Sequence, residues 1–130
     1  MNNGKSITNA EQQVMEVIWE NNTIPSTEIV RQVKSTTGWK DNTIYTLLSR
    51  LAKKKMIRID KQISPSVCTP LITQQEFQSV ERKSFVQKVY NGSLSLMLAN
   101  IIEEENLTTQ DIEQLKEILD RKNSEIKKVP

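Results

Sequence analysis

Three times along this chain a threonine is followed three positions later by an acidic residue, each time just ahead of apolar residues at helical spacing. The segments Thr8-Asn9-Ala10-Glu11, Thr73-Gln74-Gln75-Glu76 and Thr108-Thr109-Gln110-Asp111 match the capping box. In that motif hydroxyl and carboxylate each satisfy an amide that the first helical turn leaves unpaired. The second and third boxes also carry an apolar pair at staple spacing, Ile72 with Phe77 and Leu107 with Ile112. Three such starts make a mainly α chain the expectation. Only three Gly and four Pro are present, too few for the turns of a β-sandwich or barrel.

Behind the first box, Val14, Val17, Ile18 and Trp19 set a helix that runs to about Glu20, where Asn21-Asn22 breaks it. Pro25-Ser26-Thr27 opens a second, with Ile29, Val30 and Val33 inward, ending over Ser35–Gly38. Asp41 or Asn42 is expected to cap a third, whose core stripe is Ile44, Leu47, Leu48 and Leu51. Met56–Asp60 then alternates as a strand does, Lys61–Ser66 turns, and Val67–Leu71 returns. Pro65 and Pro70 confine that return strand to an edge or an irregular ribbon. Helices follow over Thr73–Tyr90, from Ser93 through Ile102, and beyond Thr108, with Lys122–Pro130 expected to fray. Helix, helix, helix and ribbon within residues 1–72 is the order of a winged helix-turn-helix, whose third helix can enter the major groove of DNA. Residues 73–130 form a separate helical module.

Composition narrows the chemistry. Histidine is absent and Cys68 is the single cysteine. These facts exclude Ser-His and Cys-His nucleophiles, histidine-containing zinc sites and an internal disulfide. With no glycine-rich phosphate loop and no carboxylate pair, the reading is of a non-enzyme that needs neither cofactor nor metal. Consecutive acids Glu103–Glu105 point in different directions on a helix and make a solvated face. Cys68 is read as a small packed strand residue, and Trp19 and Trp39 as plugs between helices. No apolar run reaches membrane-spanning length, and Met1–Ala10 lacks the apolar region of a signal peptide, so a cytoplasmic protein is expected.

Net charge is +2, but it is unevenly placed. Residues 1–72 hold ten Lys and Arg against six Asp and Glu, whereas residues 73–130 hold eight against ten. The excess gathers in Arg50–Lys61, where six cations face Asp60 alone. Such a stretch suits a polyanion, though a solvated helix face has the same composition. On the third helix and its flanks Lys40, Asn42, Thr43, Tyr45, Thr46, Ser49 and Arg50 avoid the core stripe, and Asn, Thr and Arg can read base edges. First-turn residues are best placed for bases, whereas Arg50, Lys53 and Lys54 suit phosphates or the far groove wall, and Arg58 and Lys61 on the ribbon suit the backbone. Leu94, Met97, Leu98, Ile101 and Ile102, with Ile112, Leu115 and Leu119, are too many apolar residues for so few helices to bury. A second copy of the chain would cover them. A helical protein–protein adaptor is the alternative, and the basic run argues against it.

The chain also resembles the BlaI/MecI/CopY family of repressors, which control penicillinase, methicillin-resistance and copper-transport genes. The resemblance spans Thr8 to about Leu119. Its matching stretches are Asn9-Ala10-Glu11 with Val14-Met15 and Ile18-Trp19; then Trp39, Thr43-Ile44, Thr46-Leu47, Arg50-Leu51 and Lys53-Lys54; then Phe85-Val86, Lys88-Val89-Tyr90 and Gly92. It implies a homodimeric repressor on an inverted-repeat operator, with Thr43, Tyr45, Thr46 and Arg50 facing DNA. It further implies that a signal-activated protease ends repression by cutting within the apolar helix; in β-lactam-responsive members the cut falls after an Asn and before a Phe. Here that bond is Asn100–Ile101. This chain departs from the family at Tyr45, where relatives carry longer polar or basic side chains. Lys55 replaces a glycine before the wing, and Gln62–Pro65 lacks a glycine turn. The cysteine cluster of copper-responsive members is missing, which disfavours direct copper sensing.

Overall fold

The computed structural model describes residues 6–128. The first capping box closes reciprocally: the Glu11 amide donates to Thr8 Oγ1 at 3.1 Å and the Thr8 amide to Glu11 Oε1 at 2.8 Å. This opens α1 (Asn9–Asn21), whose inner face buries Val14, Met15 and Ile18. Val17 is only half-buried; Met15 takes the core position beside Val14 instead. Pro25, with its φ preset near that of a helix entry, stands at the N-cap of α2 (Ser26–Thr37). Gly38 stops that helix in the left-handed region at φ 73°, its amide donating to the Lys34 carbonyl at 2.9 Å. Ile29, Val30 and Val33 are buried, as their spacing requires.

Helix α3 (Asp41–Lys53) buries Ile44, Leu47, Leu48 and Leu51 against α1 and α2. Neither Asp41 nor Asn42 caps it. The N-cap position is Lys40, which supplies no side-chain bond. Asp41 is the first helical residue, and its carboxylate accepts from Lys34 Nζ at 2.9 Å. There it suits the positive end of the helix without capping it.

The chain leaves α3 through Lys55, a non-glycine residue at φ 63°. It then forms a hairpin of β2 (Ile57–Asp60) and β3 (Val67–Pro70), with Ile57 opposite Pro70 and Asp60 opposite Val67. A two-residue strand, β1 (Ile24–Pro25), pairs on the far side of β3, so the order is β1-β3-β2. The return strand is therefore central, not an edge as its prolines suggest. Strand β1 pairs only with Val67 and Cys68, so Pro70 lies beyond its end and Pro65 precedes the strand; neither is asked for a missing donor.

The second box, between Thr73 and Glu76 (2.9 and 3.0 Å), starts α4 (Gln74–Tyr90). Both staple residues, Ile72 and Phe77, are buried. Phe77 lies 5.2 Å from the Trp19 ring, whose Nε1 donates to the Ile72 carbonyl at 2.9 Å. The first turns of α4 thus belong to the winged-helix core, and the chain divides into two units after Arg82 rather than at residues 72/73.

In the second unit α4 stops at Asn91 (φ 52°) and Gly92 (φ 84°), with the Gly92 amide donating to the Val86 carbonyl at 3.0 Å. A side chain at Gly92 would also press on Gln87 Oε1, at 3.0 Å. Ser93 caps α5 (Leu94–Glu104) through the Leu96 amide. The third box, Thr108 with Asp111, opens α6 (Thr109–Lys127). The segment from Lys122 onward, expected to fray, is helical through Lys127; Val129 and Pro130 lie outside the described residues. Among the described residues no helix is long and apolar enough to cross a membrane.

Candidate nucleic-acid interface

Because the aliphatic stripe of α3 faces α1 and α2, the rest of its circumference faces outward. Asn42, Thr43, Tyr45, Thr46, Ser49, Arg50 and Lys53 are all exposed, as is Lys40 just ahead of the helix. At three- and four-residue spacing they form one continuous polar face. The Thr46 hydroxyl donates to the Asn42 carbonyl at 2.9 Å, which fixes that side chain and leaves its oxygen lone pairs to accept. Asp41 is the single acid on α3, and Lys34 neutralises it. On α2, Arg31 is held by Glu28, whose carboxyl the guanidinium keeps at about 2. Among the described residues ahead of α4, the cations outside any salt bridge are Lys40, Arg50, Lys53, Lys55, Arg58 and Lys61, all at or after the entry to α3.

Beside the last turns of α3 an open groove of about 400 Å³ runs along β2, lined by Ser49, Ala52, Lys55, Arg58 and Lys61. Its floor is apolar, from Ile57, Ile59 and Leu71. Arg58 and Lys61, expected from the sequence to meet DNA, both line this groove. Lys55 was counted in the basic run and noted in place of a glycine, but was not among the residues expected to bind DNA. The turn after α3 needs a residue at positive φ, and the lysine that supplies it also lines this groove.

Lys54 does not join them. Its Nζ lies 2.6 Å from Glu11 Oε1, and Glu11 is 1% exposed. Burial alone would push the Glu11 carboxyl up, but the hydrogen bonds from Lys54 and the Thr8 amide, with the lysine charge, bring it below its ordinary value of 4.5. One carboxylate thus closes the capping box of α1 and anchors the end of α3. No local pattern reveals such a pairing across 43 residues.

The wing hairpin is held at both ends. The Gln62 amide donates to Asp60 Oδ1 at 3.0 Å. At the return, the Ser26 amide donates to the Ser66 carbonyl at 2.8 Å and the two hydroxyls meet at 2.8 Å. Cys68, behind it in β3, is fully buried, and that burial pushes its thiol up. It is a packed residue and not an exposed thiolate.

In the second unit, the residues expected to dimerise lie on α5 (Leu94, Met97, Leu98, Ile101, Ile102) and α6 (Ile112, Leu115, Leu119). All are exposed except half-buried Met97. Leu96, Ile118 and Ile126 are equally exposed and extend the apolar surface. Ile126 lies in the segment that was expected to fray and so was not among the residues expected to dimerise. Asn100 and Ile101 sit within α5, the first half-buried and the second exposed.

Three helices, a three-stranded sheet and an outward polar third helix flanked by cations define a winged helix-turn-helix protein. More narrowly, the chain belongs to the penicillinase repressor family, whose sequence model matches residues 7–121. It is 35% identical over 114 residues to the penicillinase repressor of Bacillus licheniformis, covering 88% of this chain and 89% of that protein. To the methicillin resistance regulatory protein MecI of Staphylococcus aureus strain N315 it is 31% identical over 116 residues, covering 89% and 94%. Among solved structures, the DNA-binding domain of the repressor BlaI matches with a TM-score of 0.51 at 35% identity, over 55% of this chain and 87% of that one.

Proposed function

We propose that this protein is a homodimeric, sequence-specific transcriptional repressor, not an enzyme, acting on an inverted-repeat operator of the kind that governs β-lactam-resistance genes. The observation that carries this reading is α3 itself: a helix locked on its inner face by four buried aliphatics and presenting outward Asn42, Thr43, Tyr45, Thr46, Ser49, Arg50 and Lys53, with its single acid, Asp41, paired to Lys34. Asn42, Thr43, Tyr45, Thr46 and Arg50 read base edges in the major groove, while Lys53, Lys55, Arg58 and Lys61 take phosphates. Names among its relatives support the repressor role, since they are a penicillinase repressor and a methicillin resistance regulator. The buried lone Cys68 leaves direct copper sensing out of the reading.

The exposed aliphatic side chains of α5 and α6 support the dimer, because an apolar surface of that extent marks an interface. Each such side chain contributes about 1.5–3 kcal/mol when fully buried. A two-fold axis through that interface sets two copies of α3 about 34–36 Å apart, or a multiple of it, and so calls for an inverted repeat. Repression ends when a signal-activated protease cuts Asn100–Ile101. The cut divides α5, separates the DNA-binding half from most of the dimer contact and removes bivalency. Because the bond is helical, α5 must open locally first.

Gel shifts on the DNA upstream of the protein's own gene, repeated over a salt series, test the central claim. Specific binding that falls steeply with salt supports it. Salt-independent binding, or none above the non-specific level, rejects it. For the switch, an immunoblot after β-lactam challenge should show a truncated band. An intact 15.0 kDa chain throughout derepression rejects cleavage.

A further inference from the structure

The tip of the wing carries an isoleucine where a surface turn has no packing use for one. Ile63 is 51% exposed, with exposed Gln62 and Ser64 on either side. It is presented on a fixed base. The Asp60 carboxylate holds the Gln62 amide on one side, and the Ser26–Ser66 pair of hydrogen bonds clamps the return on the other. Two residues before it, Lys61 lines the basic groove between α3 and β2 together with Lys55 and Arg58.

In a duplex, one phosphate strand always separates a major groove from the adjoining minor groove. The basic groove adjoins the last turns of α3 and the hairpin tip follows Lys61 directly, so a docking that seats α3 in the major groove would set these cations toward the phosphate strand and the tip toward the adjoining minor groove. Apolar side chains that enter a minor groove partly unstack a base step and kink the duplex, and pyrimidine–purine steps yield most readily. Resting on the DNA-binding reading above, we propose that Ile63 is an apolar wedge in the minor groove beside α3. It makes the protein select a deformable base step that the recognition helix never touches.

The test uses the full-length protein and duplexes selected from a randomised library, by the parent chain and by Ile63→Ala in parallel. Bend angles come from circularly permuted fragments. Because Ile63 is exposed, the substitution leaves the core intact, and matching thermal melts check this. The parent's duplexes should share a pyrimidine–purine step at a fixed offset from the sequence read by α3. Ile63→Ala should lose that preference, bend DNA less and bind the parent's duplex roughly tenfold more weakly, the scale of one lost specific contact. Its non-specific binding should be unchanged, and Ile63→Met, another apolar wedge, should retain all three properties. If Ile63→Ala still binds specifically with the same flanking preference and bend, the wedge is refuted while the repressor reading stands. If the parent chain selects no sequence at all, the DNA reading falls and the wedge with it.

Discussion

Glu11 shows how much one side chain can be asked to do. Its carboxylate is withdrawn from water, accepts from the Thr8 amide and faces the Lys54 ammonium, whose side chain is 30% exposed. Glu11→Gln leaves that ammonium without its counter-charge. Partial exposure of Lys54 lowers the cost of breaking such a pair to about 1–3 kcal/mol, measurable as a lower urea midpoint. The pH sign follows from the depressed carboxyl: stability is present above its ordinary value of 4.5 and is lost as pH falls below that and through the folded value. Glu11→Gln should flatten this acid limb. Lys54→Met and Lys53→Met separate structure from binding. The first should lower the melting temperature and leave the salt slope of DNA binding unchanged. The second should spare the fold and reduce that slope by about 0.9. At Lys55 the left-handed backbone costs about 1–2 kcal/mol, offset in part by glycine's greater freedom in the unfolded chain. Lys55→Gly should therefore raise stability by up to about 1 kcal/mol in a denaturant titration, while weakening DNA binding through the lost charge.

Among the elements, α2 and α3 start without a side-chain cap, and α3 has Lys40 rather than a proline at that position. Lys40→Ser should add a cap worth about 1 kcal/mol and raise the melting temperature. It also removes a cation at the end proposed to meet DNA, so affinity should fall; a variant that gains both stability and affinity would contradict the assignment of Lys40 to the interface. This helix also marks the limits of reading elements from sequence. Its core stripe and outward polar face follow from 3.6-residue spacing, and the three capping boxes formed because they are written within four residues each. What escaped was set by partners distant in sequence. Strand β1 is too short for any periodicity, and it exists because Cys68 and Val67 offer a ladder to Ile24 and Pro25. The central place of β3 depends on the same pairing. Lys54 could be assigned to Glu11 only once α1 and α3 were side by side.

At the level of the whole molecule, the two units put different demands on the chain. The first completes its own core: among the described residues seventeen apolar side chains are buried, and all but Val86 lie before Arg82. Helices α5 and α6 contribute none of them. A charge at the exposed centre of α5, such as Leu98→Glu, should therefore leave the winged helix folded and abolish association, seen as a monomer in sedimentation equilibrium. Such a monomer should bind a half-site as the parent's single module does and lose the parent's preference for the full inverted repeat. A variant that remains dimeric would place the interface elsewhere.

The setting of Trp19 has a practical consequence for watching this molecule work. Its indole N–H is engaged by the Ile72 carbonyl and its ring rests against Phe77, at the start of α4. The second tryptophan, Trp39, is half-buried immediately ahead of α3. The protein thus carries two natural fluorophores at two different mechanical positions. Emission from Trp39 senses what approaches the recognition helix, and emission from Trp19 senses whether α4 stays seated. A Trp19→Phe chain, which keeps Trp39, gives an optical channel for occupancy, and a Trp39→Phe chain, which keeps Trp19, gives one for the detachment of α4.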